Sequence, residues 1–354
     1  MSLDHRFRPF VAKWFPSRQV VKTYSTMRTP FLKDLAELPP PEVTAPKRPV
    51  ELWGLKFRND VSNAAGFDKD GKLLDFNYGL GAGYTVVGTV LNRTHTGNLF
   101  TVGGKTFNPW SPLPNSHSAI NSLGLPGQGI DPVIERIKSF QDRTQPVDFP
   151  IGLSVMGHPA QQGQAKIDGV VECLEKALPH VDFIEINESC PNVSHHDPAQ
   201  FTKRIQSFRE CRDQHAPGKP LLVKFGTIPA QETLVELDRS GIQGVVLLNT
   251  QNDYDKMRDR LVEGDHRLFD YFTRNFRGGV SGKAMAEDAW EAVSHARLVI
   301  DTNHLKLSVV HVGGLFNRDD MENSRMVAPL RQWYTGFMDA LAEKGMTGAY
   351  PSIF

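Results

Sequence analysis

From Pro46 onward, short apolar runs rich in β-branched residues alternate with longer stretches whose apolar residues recur at helical spacing. Eight of the short runs are predicted to be strands: Val61–Ala64, Tyr84–Thr89, Ile151–Val155, Phe183–Asn187, Leu221–Lys224, Gly244–Leu248, Leu307–Val312 and Leu330–Tyr334. The clearest predicted helices lie between them: Pro132–Asp142, Ile167–Leu178, Phe201–Gln214, Gln231–Arg239 and Ala286–Asp301. Strands that alternate with helices in this way are typical of a parallel sheet.

Eight such strands favour an α/β chain whose residues 46–354 form a (β/α)8 TIM barrel. The 354 residues exceed the ~250 that such a barrel needs. A doubly wound open sheet is the alternative, although it usually has fewer strands. Residues 101–106 carry Gly103 and Gly104 between two β-prone pieces, which predicts a hairpin inserted after the second strand.

Residues 1–45 have a different pattern and are predicted to form a short N-terminal helical extension with its linker. Phe7 to Phe15 mixes aromatic and basic residues, and Gln19 to Leu38 has apolar residues at helical spacing. Three prolines, starting at Pro39, end that helix and begin a stiff linker. Such a helix can cap the main domain or lie on a membrane surface, and the two interpretations are compatible.

Composition narrows the function classes. Hydrophobic residues make up 40% and charged residues 23%, which excludes disorder or coiled coil as a description of the whole chain. The 40 basic residues equal the 40 acidic residues, so a dedicated nucleic-acid binder is not expected. The three cysteines, without a secretory signal, indicate a reducing compartment, and no apolar run approaches the ~20 residues that span a bilayer. The expected location is the cytoplasmic side, with peripheral membrane contact through residues 1–45 left open.

Polar or glycine residues follow several predicted strands, at the end where barrel enzymes place their sites. Gly313-Gly314 follows the seventh strand and Tyr334-Thr335 ends the eighth, and backbone N–H groups there are the usual phosphate site of such barrels. A third glycine segment, Gly278–Gly282, precedes the helix after the sixth strand. Together they favour a phosphorylated cofactor, whereas ordinary strand-to-helix turns are the alternative.

Lys224 ends an apolar strand and is expected over the barrel mouth. An ammonium group there can stabilise negative charge on an electron-rich ring. A solvated lysine at a strand end is the alternative interpretation.

Residues 186–193 form the most informative segment, because Cys190 lies just past the fourth strand on a loop stiffened by Pro191. A thiol at this place can act as a nucleophile, a metal ligand or a general base. The residues alone do not decide between these roles, although the cysteine spacing disfavours the metal ligand.

No metal site is predicted, because no CxxC pair or nearby second cysteine accompanies Cys190. His195 and His196 are better explained as a polar loop tip. Cys173 and Cys211 lie within helical patterns and are predicted to be packing residues.

Several segments jointly carry a resemblance to one known family: Asn63–Gly71, Gly88–Val90 with Gly97-Asn98, Ile120–Pro126, Asn187–Asn192, Gly278–Gly282, Val312–Gly314 and Tyr334-Thr335. Together they resemble the dihydroorotate dehydrogenases, flavin-dependent barrel enzymes of pyrimidine (UMP) biosynthesis. The resemblance covers nearly the whole chain.

The resemblance implies FMN as the cofactor, dihydroorotate and orotate as substrate and product, and Cys190 as the general base. The implied catalytic residues are Cys190 and Lys69. The implied substrate-binding residues are Lys69, Asn121, Leu123, Gly124, Leu125, Asn187, Asn192, Asn249 and Thr250. The implied cofactor-binding residues are Ala65, Gly66, Thr89, Ser154, Asn187, Lys224, Gly282, Gly313, Gly314, Tyr334 and Thr335. Asparagines suit a planar ring with alternating C=O and N–H edges, because each amide both donates and accepts.

The chain combines features of two branches of that family. The extension and Lys69 resemble the membrane-associated, quinone-using members, whereas Cys190 and the loop 121–126 resemble the soluble members. The mixed features leave the electron acceptor open between a quinone, fumarate and NAD, and the extension favours the quinone. Ser154 stands where the family usually has asparagine, and its hydroxyl can still donate to the flavin.

Three other functions compete with this interpretation. A dihydrouridine synthase acting on transfer RNA would be expected to show a basic face, which the zero net charge disfavours. A related flavin enzyme acting on another dihydropyrimidine would also pair a cysteine base with asparagines. A homologue that binds FMN without turnover is the non-enzyme alternative.

The fourth strand also predicts a charged group inside the barrel. Side chains alternate along a strand, so if Asn187 faces inward, Glu185 does too, one layer deeper. A lone buried carboxylate is costly, and it should be paired or protonated. The candidate partners, in order of preference, are His311, Lys224 and Arg331, and a local bulge that turns Glu185 to solvent is the alternative.

Overall fold

The computed structural model describes residues 2–44, 46–188 and 198–354. Its helices are α1 (Ser2–Trp14), α2 (Ser17–Glu37), α3 (Leu74–Gly79), α4 (Ile130–Thr144), α5 (Gly163–Ala177), α6 (Pro198–His215), α7 (Gln231–Arg239), α8 (Tyr254–Arg260), α9 (Glu263–Phe276), α10 (Ala286–Thr302), α11 (Arg318–Arg325) and α12 (Thr335–Gly348). Its strands are β1 (Val50–Leu52), β2 (Leu55–Phe57), β3 (Val61–Asn63), β4 (Thr85–Val90), β5 (Phe100–Val102), β6 (Lys105–Phe107), β7 (Trp110–Leu113), β8 (Ser118–Asn121), β9 (Ile151–Val155), β10 (Phe183–Asn187), β11 (Leu221–Phe225), β12 (Gly244–Leu247), β13 (Gly279–Gly282), β14 (Ser308–Val312) and β15 (Leu330–Trp333).

Eight parallel strands build the barrel in the order β3, β15, β14, β12, β11, β10, β9 and β4. Two backbone hydrogen bonds join the chain after β3 to β4 and bring the ends of this sheet together: Gly66 N donates to Gly88 O (2.6 Å), and Gly88 N donates to Asp68 O (2.8 Å). These are the eight strands predicted from the apolar runs, with ends that differ by one residue or not at all. The predicted TIM barrel is therefore confirmed, as is the hairpin after the second barrel strand, which is β5–β6.

An aromatic cluster lies beside the N-terminal hairpin β1–β2. The ring centroids of Phe57 and Tyr84 are 5.4 Å apart, and Trp53 and Phe183 are 6.1 Å apart. These side chains form one buried cluster with apolar residues of the barrel strands, including Leu222. Because this cluster fills the lower barrel, the interior is packed and the open space lies at the carboxyl ends of the strands.

A second, three-stranded antiparallel sheet, β7–β8–β13, stands at those carboxyl ends. The helices α1 and α2 pack against it and against α9, with Val21 and Tyr24 buried in the shared apolar cluster. Ser25 Oγ accepts from Trp110 N (2.9 Å), and Arg267 Nη2 donates to Phe15 O (2.7 Å). The cap interpretation of the extension is confirmed, and its second helix begins two residues before the predicted start.

The outer side of α1 keeps large apolar side chains in solvent. Phe7 is 59% exposed, Phe10 55% and Trp14 64%. Within the described ranges, none of the helices combines the length and apolar character needed to cross a membrane.

Candidate active site

A cavity of about 1350 Å³ opens at the carboxyl ends of the barrel strands. Its walls come from three parts of the fold: the barrel strand ends, the β7–β8–β13 sheet and the N-terminal helices. Most of the residues singled out from the sequence line it: Ala65, Gly66, Lys69, Thr89, Asn121, Leu123, Gly124, Leu125, Asn187, Lys224, Asn249, Thr250, Tyr334 and Thr335.

The floor of the cavity is a chain of polar side chains on adjacent strands. Asn187 Nδ2 on β10 donates to Thr89 Oγ1 on β4 (3.0 Å). Thr89 Oγ1 in turn lies 3.0 Å from Ser154 Oγ on β9. Ser154 is fully buried beneath Thr89 and does not line the cavity, so it contacts the cavity wall through Thr89.

Glu185 lies one layer below this floor and is completely buried, as predicted. Its Oε1 is 3.2 Å from Lys224 Nζ, and its Oε2 accepts from Gln332 Nε2 at 3.0 Å. Lys224 is only 3% exposed, and the part of it that is accessible faces the cavity. An ion pair therefore joins the cavity floor to the barrel interior.

The preference for His311 as the partner of Glu185 was wrong. Val310 and Val312 belong to the cluster inside the barrel, so His311 between them faces the helices, where its Nδ1 lies 2.8 Å from Ser324 Oγ. Burial, with a smaller effect of the Arg331 charge, lowers the pKa of His311 to about 3, so the ring is neutral.

Arg331, the third candidate partner of Glu185, also faces outward. Its Nη1 donates to Asp60 Oδ2 (2.7 Å), and Arg325 Nε donates to the same oxygen (2.7 Å). This second buried charge cluster lies outside the barrel wall and does not line the cavity.

Lys69 follows β3 on a loop held by its neighbour Asp68. Backbone N–H groups of Lys72 and Leu73 donate to the two carboxylate oxygens of Asp68 (2.9 and 3.1 Å). Burial nevertheless raises the pKa of Asp68 to about 7. Burial, followed by the charge of Arg28, lowers the pKa of Lys69 to about 7. Because burial disfavours the cationic form of Lys69, an anionic ligand in the cavity would raise its pKa and stabilise the ammonium group.

The amino-acid sequence of the chain matches a known protein family. The family profile described as dihydroorotate dehydrogenase matches residues 48–342, most of the chain. The chain belongs to the dihydroorotate dehydrogenase family. It is therefore an oxidoreductase by family, in agreement with the resemblance drawn from its motifs.

Its curated relatives in the family include two bacterial proteins named dihydroorotate dehydrogenase (quinone). One, from a Synechococcus strain, is 29% identical over 316 residues, which are 83% of this chain and 76% of that protein. The other, from Serratia proteamaculans, is 27% identical over 315 residues, 83% of this chain and 84% of that protein. A crystal structure of the Eimeria tenella dihydroorotate dehydrogenase with ferulenol has the same fold, with a TM-score of 0.75 at 20% identity over 93% of this chain and 89% of that one.

Some of the family residues expected from the sequence do not line the cavity. Besides Ser154, these are Gly282, Gly313 and Gly314. Gly314 has a φ of +71°, and a Cβ there would lie 2.3 Å from Ala286 Cα, so glycine is required for the packing of α10 on the strand end. Cys190 and Asn192 lie outside the described residues.

Arg28 is a cavity residue that the sequence did not single out. It extends from α2 to the dehydrogenase cavity, where its Nη2 lies 3.4 Å from Tyr334 Oη and 3.5 Å from Gly66 O. The sequence offered one sign that Arg28 faces the cavity, which is its position next to Met27 on the apolar side of α2. A single arginine at such a position cannot be distinguished from an ordinary surface charge. Tyr254 was not singled out either and also lines the cavity, as does Ser281 within the predicted segment Gly278–Gly282.

Proposed function

We propose that this chain oxidises dihydroorotate to orotate in de novo pyrimidine biosynthesis, with FMN as the hydride acceptor and a quinone as the oxidant that restores it. The observation that carries the proposal is the convergence of Lys224, Lys69 and three asparagines on one cavity of a dehydrogenase-family barrel. Lys224 suits a redox ring that gains negative charge, and Lys69 suits the carboxylate of a small substrate.

The donor set fits FMN at two places. Lys224, Asn187 and Thr89 offer an ammonium, an amide and a hydroxyl side by side on the cavity floor, as a polar flavin ring edge requires. Gly66 lines the cavity with a φ of +104°, and a Cβ there would meet only the Tyr334 ring, at 3.8 Å. This backbone can therefore lie against a planar ring without side-chain obstruction.

The phosphate end would lie at the start of α12. Ser281 Oγ and Thr335 Oγ1 are 2.9 Å apart and both line the cavity. Thr335 begins α12, whose first backbone N–H groups have no side-chain cap at the preceding residue. A helix N-terminus with two adjacent hydroxyls is a suitable phosphate site.

Dihydroorotate would bind between Lys69 and the asparagines. Asn121 and Asn187 end β8 and β10, and Asn249 lies just after β12, so amides from three strand ends line the cavity. Lys69 would hold the substrate carboxylate. Asn192 would add a fourth amide.

In the reaction, Cys190 in its thiolate form would remove a proton from one ring carbon of the substrate. FMN, when bound, supplies the acceptor for the hydride that leaves the adjacent carbon. Lys224 would stabilise the negative charge that then develops on the redox ring. The β7–β8–β13 sheet and the extension line the cavity and would limit the access of water to a bound substrate.

A quinone as acceptor is supported by the extension. Tyr24, Met27, Phe31 and Leu32 of α2 line the cavity and give that end of it an apolar wall. A lipophilic molecule entering along α2 would reach Arg28 and then Tyr334. The exposed aromatic side chains of α1 would place this entrance at a membrane surface, where quinones are found.

The cofactor is tested by releasing it from the purified protein. Heat denaturation followed by centrifugation should leave about one FMN per chain in the supernatant, identified by chromatography against FMN and FAD. A protein that releases no flavin, and that takes up none when incubated with FMN, would contradict the proposal.

A further inference from the structure

Glu185 is a buried charged residue for which the proposed reaction has no direct use. It lies below the cavity floor, in register with Ser154 on β9 and Leu222 on β11, and none of its surface is accessible. It therefore touches neither substrate nor cofactor. A carboxylate at such a place is expensive in solvation free energy and needs an explanation.

Glu185 contacts a residue that lines the cavity. Glu185 Oε1 is 3.2 Å from Lys224 Nζ, and Gln332 Nε2 holds the other oxygen at 3.0 Å. Among the described residues, Lys224 supplies the only cation within ion-pair distance of Glu185. The residue in register on β11 is the apolar Leu222, and the residue in register on β9 is Ser154, whose hydroxyl bonds to Thr89.

Lys224 is also buried and requires a counter-ion. Its ammonium is buried at the boundary between the apolar barrel and the cavity, where a lone cation is as costly as a lone anion. Without a counter-ion, such a group is stabilised as the neutral amine. A neutral amine could no longer stabilise negative charge on a bound ring.

We infer that Glu185, oriented by Gln332, is a positioning residue that keeps the Lys224 side chain cationic and fixed against the redox cofactor. The inference rests on the proposed function, since it assigns to Lys224 a flavin contact. It gives an electrostatic role to Glu185 in the barrel interior, two positions before Asn187 on β10.

Sulfite binding to the oxidised flavin tests this without turnover, because the adduct places negative charge on the flavin and is favoured by a nearby cation. In Glu185→Gln, the sulfite dissociation constant should rise about 10- to 100-fold, the usual range for a lost interaction with a charged group. The flavin reduction potential should fall in parallel. Unchanged or tighter sulfite binding would overturn the inference, because Lys224 would then be cationic without Glu185.

A double-mutant cycle separates positioning from a general structural effect. Lys224→Met should weaken sulfite binding by itself, and adding Glu185→Gln to it should cause little further change. Glu185→Asp keeps the charge and should bind sulfite within a few-fold of the wild type. If Glu185→Gln weakened binding equally in the Lys224→Met background, the residue would act independently of Lys224 and the inference would fail.

The cycle also distinguishes this inference from the proposed function. A wild-type protein without flavin would contradict the function itself. The wild-type protein could instead hold FMN that dihydroorotate reduces, while its sulfite affinity stays the same when Glu185 is replaced. That result would contradict only the positioning role.

Discussion

Arg28 Nη2 lies 3.4 Å from Tyr334 Oη, so a side chain of the N-terminal extension reaches the segment that ends the eighth barrel strand. The same guanidinium is 3.5 Å from Gly66 O, just after the first barrel strand. The extension is therefore part of the cavity wall.

Replacing Arg28 with alanine should separate the two half-reactions. We expect a smaller change in the reduction of the flavin by dihydroorotate, because the hydrogen bonds of Arg28 go to Gly66 and Tyr334 and its charge reaches the substrate site only through Lys69. Reoxidation by a short-chain ubiquinone should slow about 10-fold, the effect of losing one charged hydrogen bond. Stopped-flow absorbance follows each half-reaction separately.

Arg18→Ala is the matched control, since Arg18 lies on the same helix and is exposed. It should leave both half-reactions unchanged. An equal loss of both half-reactions in Arg28→Ala would show that the arginine supports the fold rather than the acceptor.

The lowered pKa of Lys69 predicts a pH dependence of orotate binding. With a pKa of about 7 in the free protein, Lys69 is cationic below pH 7 and increasingly neutral above it. A bound carboxylate favours the cation, so orotate affinity should be highest below pH 7 and fall up to ~10-fold per unit above it.

Calorimetry in the Cys190→Ser background, which removes the thiol titration, measures this dependence. Titrations at pH 7 in buffers of different ionisation enthalpy should show proton uptake on orotate binding. Lys69→Met should bind weakly and without this dependence. Affinity that stays constant from pH 6 to 9 with Lys69 present would contradict the assignment of Lys69 to the carboxylate.

Asp60 should be important for stability. It is 3% exposed and accepts hydrogen bonds from both Arg325 and Arg331, so Asp60→Ala leaves two largely buried guanidinium groups without their anion. We expect a loss of about 3–5 kcal/mol in the free energy of unfolding, measured by denaturant titration. Asp301→Ala, which breaks an exposed pair with Arg297, should cost ~1 kcal/mol or less. Similar losses in the two variants would contradict this account.

The barrel could be predicted from the sequence because each of its strands is a short apolar run with its own end signals. The pairing of β13 with β8 could not, because Gly279–Gly282 and Ser118–Asn121 are far apart in sequence and neither is a strong strand pattern. The β7–β8–β13 sheet that walls the cavity therefore had no local signal.

Side-chain direction was predictable only within a strand. Glu185 and Asn187 lie in the same strand, β10, so their two-residue spacing correctly placed both inside the barrel. Gly313 lies just beyond the end of β14 with a φ of +107°, so it gives no guide to side-chain direction within that strand. Alternation does not continue through a left-handed residue, and Val310 and Val312 are the inward pair.

The most direct test of the central claim is anaerobic mixing of the flavin-loaded protein with dihydroorotate. We expect the yellow absorbance to bleach in a single turnover and to return when a ubiquinone is added. In Cys190→Ala, orotate should bind almost normally while bleaching slows ~10²–10⁴-fold, the usual contribution of a general base. A flavin that dihydroorotate does not bleach, or one that bleaches at nearly the normal rate without Cys190, would contradict the account.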